Sequence, residues 1–209
     1  MQFTKSQKNY IPINRIQNRL YLDIESTIDK TPVEVTLIKY SGEVICDQII
    51  KPHDEFFNKL NQKAHVGLTD KILLNSGKLN WFEMERILSN LFPSYIVVAW
   101  NLEFEKDFFS DRLDSAFSTQ CEMKRFANYY QDYNPFYEDY NWKSLKFAAE
   151  HFGIEVNGSY HRSHTDAELL RQISIRLDKE LFHQRLGMKN PTYDFNKLIK
   201  VSSENKING

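Results

Sequence analysis

Residues 20–26 read Leu20-Tyr21-Leu22-Asp23-Ile24-Glu25-Ser26, an apolar run that gains two carboxylates, one residue apart, just before it ends. In an extended strand successive side chains alternate between faces, so Leu20, Leu22 and Ile24 point one way and Tyr21, Asp23 and Glu25 the other. Both acids then share a face. Two carboxylates held side by side repel, and burial raises the cost, so the arrangement makes most sense with a cation between them. A hard divalent ion is the natural candidate. The competing reading is the polar, solvent-facing side of an edge strand, for which Asp is a poor choice and tandem acids a poorer one.

Outward from this stretch, residues 33–40 alternate apolar and polar, Ser41-Gly42 is a turn signal, and residues 44–50 form a second β-rich run ended by Pro52. That is a hairpin following the first strand. Trp81, Met84, Leu88 and Leu91 recur at helical spacing, with Asn80 and Glu83 in a capping-box arrangement and Pro93 as the stop. Residues 95–99 form a short apolar strand. Phe104, Phe108 and Leu113 predict a helix after it, and residues 119–123 a further strand, which implies a parallel crossover. Residues 142–152, terminated by Gly153, and residues 165–181 read as two more helices. The aromatic and acidic segment 129–140 reads as a loop packed over the helix near Trp142, with a substrate or partner surface as the alternative. The expected architecture is α/β: a mixed five-stranded sheet with a hairpin at one edge and a parallel centre, flanked by helices.

At 209 residues the chain is long enough for one well-packed domain. Residues 1–18 carry Lys5, Lys8 and Arg15 with no acid and read as a basic arm; residues 19–183 are the domain; residues 184–209 are a polar tail. Two cysteines far apart, Cys46 and Cys121, suit free thiols in a reducing cytoplasm rather than a disulfide framework. No apolar run approaches membrane-spanning length. A net charge of −1 argues against wholesale coating of nucleic acid and leaves room for a local basic track.

Polar groups collect in two further places. Asn101 ends the strand at 95–99 and is a good N-cap, and the helix after it presents Glu103, Glu105 and Asp107 in its first turns. Downstream, Tyr160-His161-Arg162-Ser163-His164-Thr165-Asp166 precedes a helix in which Asp166 shares the apolar stripe of Leu170, Ile173 and Leu177. A capping box between Ser163 and Asp166, and histidines that are merely solvated, are the structural alternatives.

In order and spacing these groups resemble the three motifs of the DEDDh exonucleases, the family of the proofreading subunit of bacterial replicative polymerases, oligoribonuclease and RNase T. The matching residues are Asp23 and Glu25; Asn101, Phe104 and Glu105; and His161, Arg162 and Asp166. The loop His65-Val66-Gly67-Leu68-Thr69 is similar to the family's substrate-cradling loop, with Val66 inserted. Glu105 stands where the family carries Asp, and Ser163 where Ala is usual.

The resemblance implies an RNase H-like fold and a 3′→5′ exonuclease that uses two Mg²⁺ or Mn²⁺ ions on single-stranded DNA or RNA ends and releases nucleoside 5′-monophosphates. It implies that Asp23, Glu25 and Asp166 hold metal, that Glu105 supports it through water, and that His161 accepts the proton of the attacking water. His65, Leu68 and Asn101 would contact substrate. Glu105 and Asp107 cannot both serve, since two residues along a helix are about 200° apart. Residue order favours Glu105. The rival expectation is a catalytically impaired module that keeps the fold and binds nucleic acid or a protein. The arm and tail are candidates for docking nucleic acid, a polymerase-type protein or a second copy of the chain.

Overall fold

The computed structural model describes residues 16–27, 30–51 and 77–185. Five strands, β1 (Arg19–Ser26), β2 (Pro32–Lys39), β3 (Val44–Ile49), β4 (Ile96–Ala99) and β5 (Ser118–Cys121), form one sheet in the order β3-β2-β1-β4-β5. β2 is antiparallel to both its neighbours, while β1, β4 and β5 run parallel. The stretch at 20–26 is therefore the central strand.

A central strand must be covered on both sides, and the alternation of β1 decides what covers each. Leu20, Leu22 and Ile24, with Val35, Leu37, Val97 and Ala99, pack under Met84 and Leu88 of α1 (Trp81–Ser89) and Phe108 and Phe109 of α2 (Leu102–Phe109). On the other face Tyr21, Ile96 and Val98 meet Phe126 of α3 (Glu122–Tyr130), Ala148 and Ala149 of α4 (Leu145–His151), and Leu169, Leu170, Ile173 and Leu177 of α5 (Ser163–Arg185). Asp23 and Glu25 have the same parity as Tyr21, so they turn toward α5.

Local signals place the ends of these elements. The Asn80 side chain accepts from the Glu83 amide at 3.0 Å and the Glu83 carboxylate from the Asn80 amide at 3.1 Å, closing the capping box of α1. Gly42 adopts φ +90° in the β2–β3 turn, and the Arg171 guanidinium lies 3.7 Å from where its Cβ would be. Arg171 donates to the Tyr40 carbonyl at 3.1 Å, fastening α5 to this hairpin. At the start of β1, Arg19 is buried and donates to Asp178 of α5 at 2.5 Å and to Ser174 at 3.2 Å.

The structure departs from the sequence reading in four places. The strand at 119–123 is shorter: Glu122 starts α3, which buries Met123, Phe126 and Ala127 at helical spacing. The helix after β4 stops at Phe109, and Leu113 is buried from a 3-10 turn, Ser110–Ser115. The helix at 142–152 begins at Leu145, because Ser144 caps it by accepting from the Phe147 amide at 3.1 Å. Segment 129–140 is not a packed loop: after α3 it forms a ribbon, β6 (Tyr133–Asn134) with β7 (Asp139–Tyr140), whose Phe136 is 82% exposed. His65, Leu68, residues 1–15 and residues 186–209 lie outside the described residues.

Candidate active site

The acidic groups gather where β1 ends beside β4. Asp23 and Glu25 come from the last turns of pleat in β1 and face α5, whose first turn supplies Asp166. Asp166 is buried; its Oδ2 accepts from the His161 amide at 3.1 Å, and its Oδ1 has no hydrogen-bond partner. Ligand atoms of Glu25, His161 and Asp166 lie within 4.8 Å of one another. The capping box between Ser163 and Asp166 does not form, since the Ser163 amide donates instead to Glu34 at 3.0 Å.

Glu105 arrives from the opposite side of the sheet. The Asn101 carbonyl accepts from the Phe104 amide at 3.0 Å and the Glu105 amide at 3.3 Å, which starts α2 directly after β4. Phe108 and Phe109 anchor the helix: the Trp81 indole donates to the Phe108 carbonyl at 3.1 Å, and Phe109 packs edge-on against Phe92 at 5.1 Å. Glu105 is then only 3% exposed, with its carboxylate hydrogen bonded to the Ile24 backbone. Asp107 points to solvent and pairs with Lys30. His164 also faces outward, 3.0 Å from Asp47, and Asn101 is half-buried at the end of β4.

Burial and mutual repulsion push all four carboxyls toward the neutral form. Asp23 is raised well above the usual carboxylate range by desolvation, then by Glu105, Glu25 and Asp166. Glu105 is raised well above it by desolvation and by Glu25, against the Ile24 hydrogen bond. Glu25 is pushed up to about 7 by desolvation, Asp166 and Glu34. Asp166 moves up by desolvation, opposed by the His161 amide.

Asp23 Oδ2, Glu105 Oε2 and Asp166 Oδ1 are all enclosed with no hydrogen-bond partner. Unsatisfied oxygens on mutually repelling acids fit a divalent cation, which binds oxygen ligands and removes the repulsion. Stability should report this. The folded state holds the Glu25 proton up to about pH 7, whereas an unperturbed Glu releases it near 4.5. Folding therefore takes up a proton across that window, and stability falls as pH rises through it. After discounting for solvent that reaches Glu25, the loss is on the order of 2 kcal/mol, or a fall in Tm of roughly 5 °C. Thermal unfolding in EDTA should show the lower Tm at pH 8 than at pH 5, and millimolar Mn²⁺ should raise it mainly at pH 8. An EDTA profile that rises with pH would contradict the assignment.

Glu34 is the residue that the sequence reading missed. It is buried on β2 and receives Arg162 and Ser163, the residues that follow His161. The available signal was a lone acid among apolar residues on a strand beside β1.

No family model matches this sequence. The architecture is that of the RNase H-like exonucleases. A 3′-exonuclease solved for its 3′-end-specific recognition of histone mRNA stem-loop superimposes with a TM-score of 0.55, covering 78% of this chain and 81% of its own at 13% identity. The nuclease domain of 3'hExo, a DEDDh family member bound to rAMP, gives 0.52 over 78% of this chain and 90% of its own, at 13% identity. Pop2p of S. pombe, in its Mg²⁺- and Mn²⁺-bound form, gives 0.50 over 79% and 84%, at 12% identity. In sequence, the chain is 26% identical over 179 residues to the uncharacterized exonuclease CP81 of Escherichia phage 186, spanning 78% of this chain and 89% of the relative. These likenesses establish the fold, and the phage relative supports a nuclease function. Among the described residues no helix is long and apolar enough to cross a membrane.

Proposed function

We propose that the protein is a metal-dependent 3′→5′ exonuclease that shortens single-stranded nucleic acid and releases nucleoside 5′-monophosphates. The observation that carries this reading is the meeting of Asp23, Glu25, Glu105 and Asp166 with His161 at one end of the central strand, with three carboxylate oxygens left unpartnered. A fold held together only for binding has no physical need to press four acids against one another. The relative and the solved neighbours add weight: one neighbour recognises a 3′ end, one is bound to rAMP, and one binds Mg²⁺ and Mn²⁺.

Asp23, Glu25 and Asp166 would hold divalent cations, two Mg²⁺ or Mn²⁺ on this reading, and Glu105 would support them through water. When bound, the cations neutralise the phosphate and make a water molecule acidic enough to attack. His161 sits beside Glu25 and Asp166 with an exposed ring, free to meet that water, and takes its proton. The water oxygen bonds to phosphorus while the bond from phosphorus to the 3′ oxygen of the preceding nucleotide breaks, and that oxygen leaves with a proton from solvent. Asn101, at the mouth of β4, and His65 and Leu68 are the proposed substrate contacts.

Oligonucleotides labelled at the 3′ or the 5′ end, incubated with Mg²⁺, Mn²⁺ or EDTA, test the reading. Loss of the 3′ label first, as mononucleotide, and only with metal, is expected. Intact oligonucleotides under every metal would leave a non-catalytic binding module instead.

A further inference from the structure

His161 is held in an unusual backbone conformation, with φ +61°. The left-handed region is disfavoured for a residue with a Cβ, and it persists only where neighbours enforce it. Here the enforcement is visible. The His161 amide is fixed on Asp166, and the next two residues are gripped by one buried side chain, Glu34 of β2. Its carboxylate accepts from Arg162 Nη2 at 2.7 Å, from Arg162 Nε at 3.0 Å and from the Ser163 amide at 3.0 Å. A second tie reinforces it: Thr36, two residues along the same face of β2, lies 2.7 Å from the Ser163 hydroxyl, and both side chains are fully buried.

Glu34 does not belong to the set of unpartnered acids. Both of its oxygens are occupied by donors, so it is committed to the turn rather than open to a cation. We propose that Glu34 is the positioning residue that holds the His161 turn over the acidic cluster, acting through the Arg162 guanidinium and the Ser163 amide. Its charge matters as well as its shape. Three donors converge on two oxygens, an arrangement a carboxylate satisfies and a carboxamide does not, because its NH₂ would face a donor. This role rests on the nuclease reading for its consequence in turnover, but the grip on the turn stands apart from it.

Two variants separate the possibilities. Glu34→Gln and Arg162→Met are compared with wild type in steady-state hydrolysis of one single-stranded substrate, and by hydrogen exchange at the His161 and Ser163 amides. Partners of this kind typically govern 10–100-fold in activity. Each variant should lower kcat by about that factor with KM nearly unchanged, and the double variant should lose little beyond either single one. Exchange at both amides should quicken about ten-fold while the amides of β1 stay protected. Arg162 is partly exposed, so its variant keeps the question answerable if Glu34→Gln folds poorly. Unchanged kcat, a loss confined to KM, or unchanged exchange at the two amides would overturn the role. A wild-type protein without turnover in any metal would count against the nuclease reading, and the exchange measurement would still decide the grip of Glu34.

Discussion

Alanine at Glu105 is expected to lower turnover by on the order of 10²–10³-fold, the usual cost of removing one preorganised charge from a reacting centre, whereas alanine at Asp107 should leave it nearly unchanged. The two acids lie on one helix, two residues apart, and the fold sends them to opposite environments. Glu105 is buried against Ile24 with an oxygen left unpartnered, beside Asp23 and Glu25. Asp107 is exposed and bound to Lys30, a surface pair of the kind that contributes little. The aromatic anchors Phe108 and Phe109 fix this rotation of α2, so the helix cannot turn to exchange the two without unburying both rings. Purified Glu105→Ala and Asp107→Ala proteins assayed on one single-stranded substrate decide the matter. An inactive Asp107→Ala with an active Glu105→Ala would show that this motif is misaligned.

Alanine at Asp178 should cost roughly 3–5 kcal/mol of stability, the range for stripping one partner from a buried ion pair. That corresponds to a fall in Tm of roughly 10 °C for a domain of this size. Asp178 receives two guanidiniums, from Arg19 at 2.5 Å and from Arg125, and Arg19 is 1% exposed at the start of the central strand. Without the carboxylate, Arg19 still donates to Ser174 at 3.2 Å, and Arg125 still has Glu122 at 2.7 Å. The buried charge of Arg19 then loses its hydrogen-bonded counter-ion and keeps only the attraction of Glu122, which it shares with Arg125. Ser174→Ala, which removes one neutral acceptor, should cost only about 1 kcal/mol. Urea unfolding of the two variants at neutral pH measures both. A loss below about 1 kcal/mol for Asp178→Ala would mean that solvent reaches Arg19 and replaces its partner.

The sequence by itself determined the central strand, its hairpin partner, the cap of α1 and the shared face of Asp23 and Glu25, because each follows from alternation or from contacts a few residues long. Helical spacing also placed Asp166 on the buried stripe of α5. It misplaced the end of the strand at 119–123, where a four-residue strand runs into α3 with no glycine or proline between them. Whether Glu122 ends a strand or starts a helix is settled by the seat of Phe126 between α4 and the sheet. Glu34 shows the limit most plainly. Alternation along β2 marks it as the polar side of a strand, and only the tertiary structure lays α5 over that side, burying it with Arg162 and Ser163, 128 and 129 residues away. A carboxylate's worth to a fold depends on which donors meet it, and here those donors come from the far end of the chain.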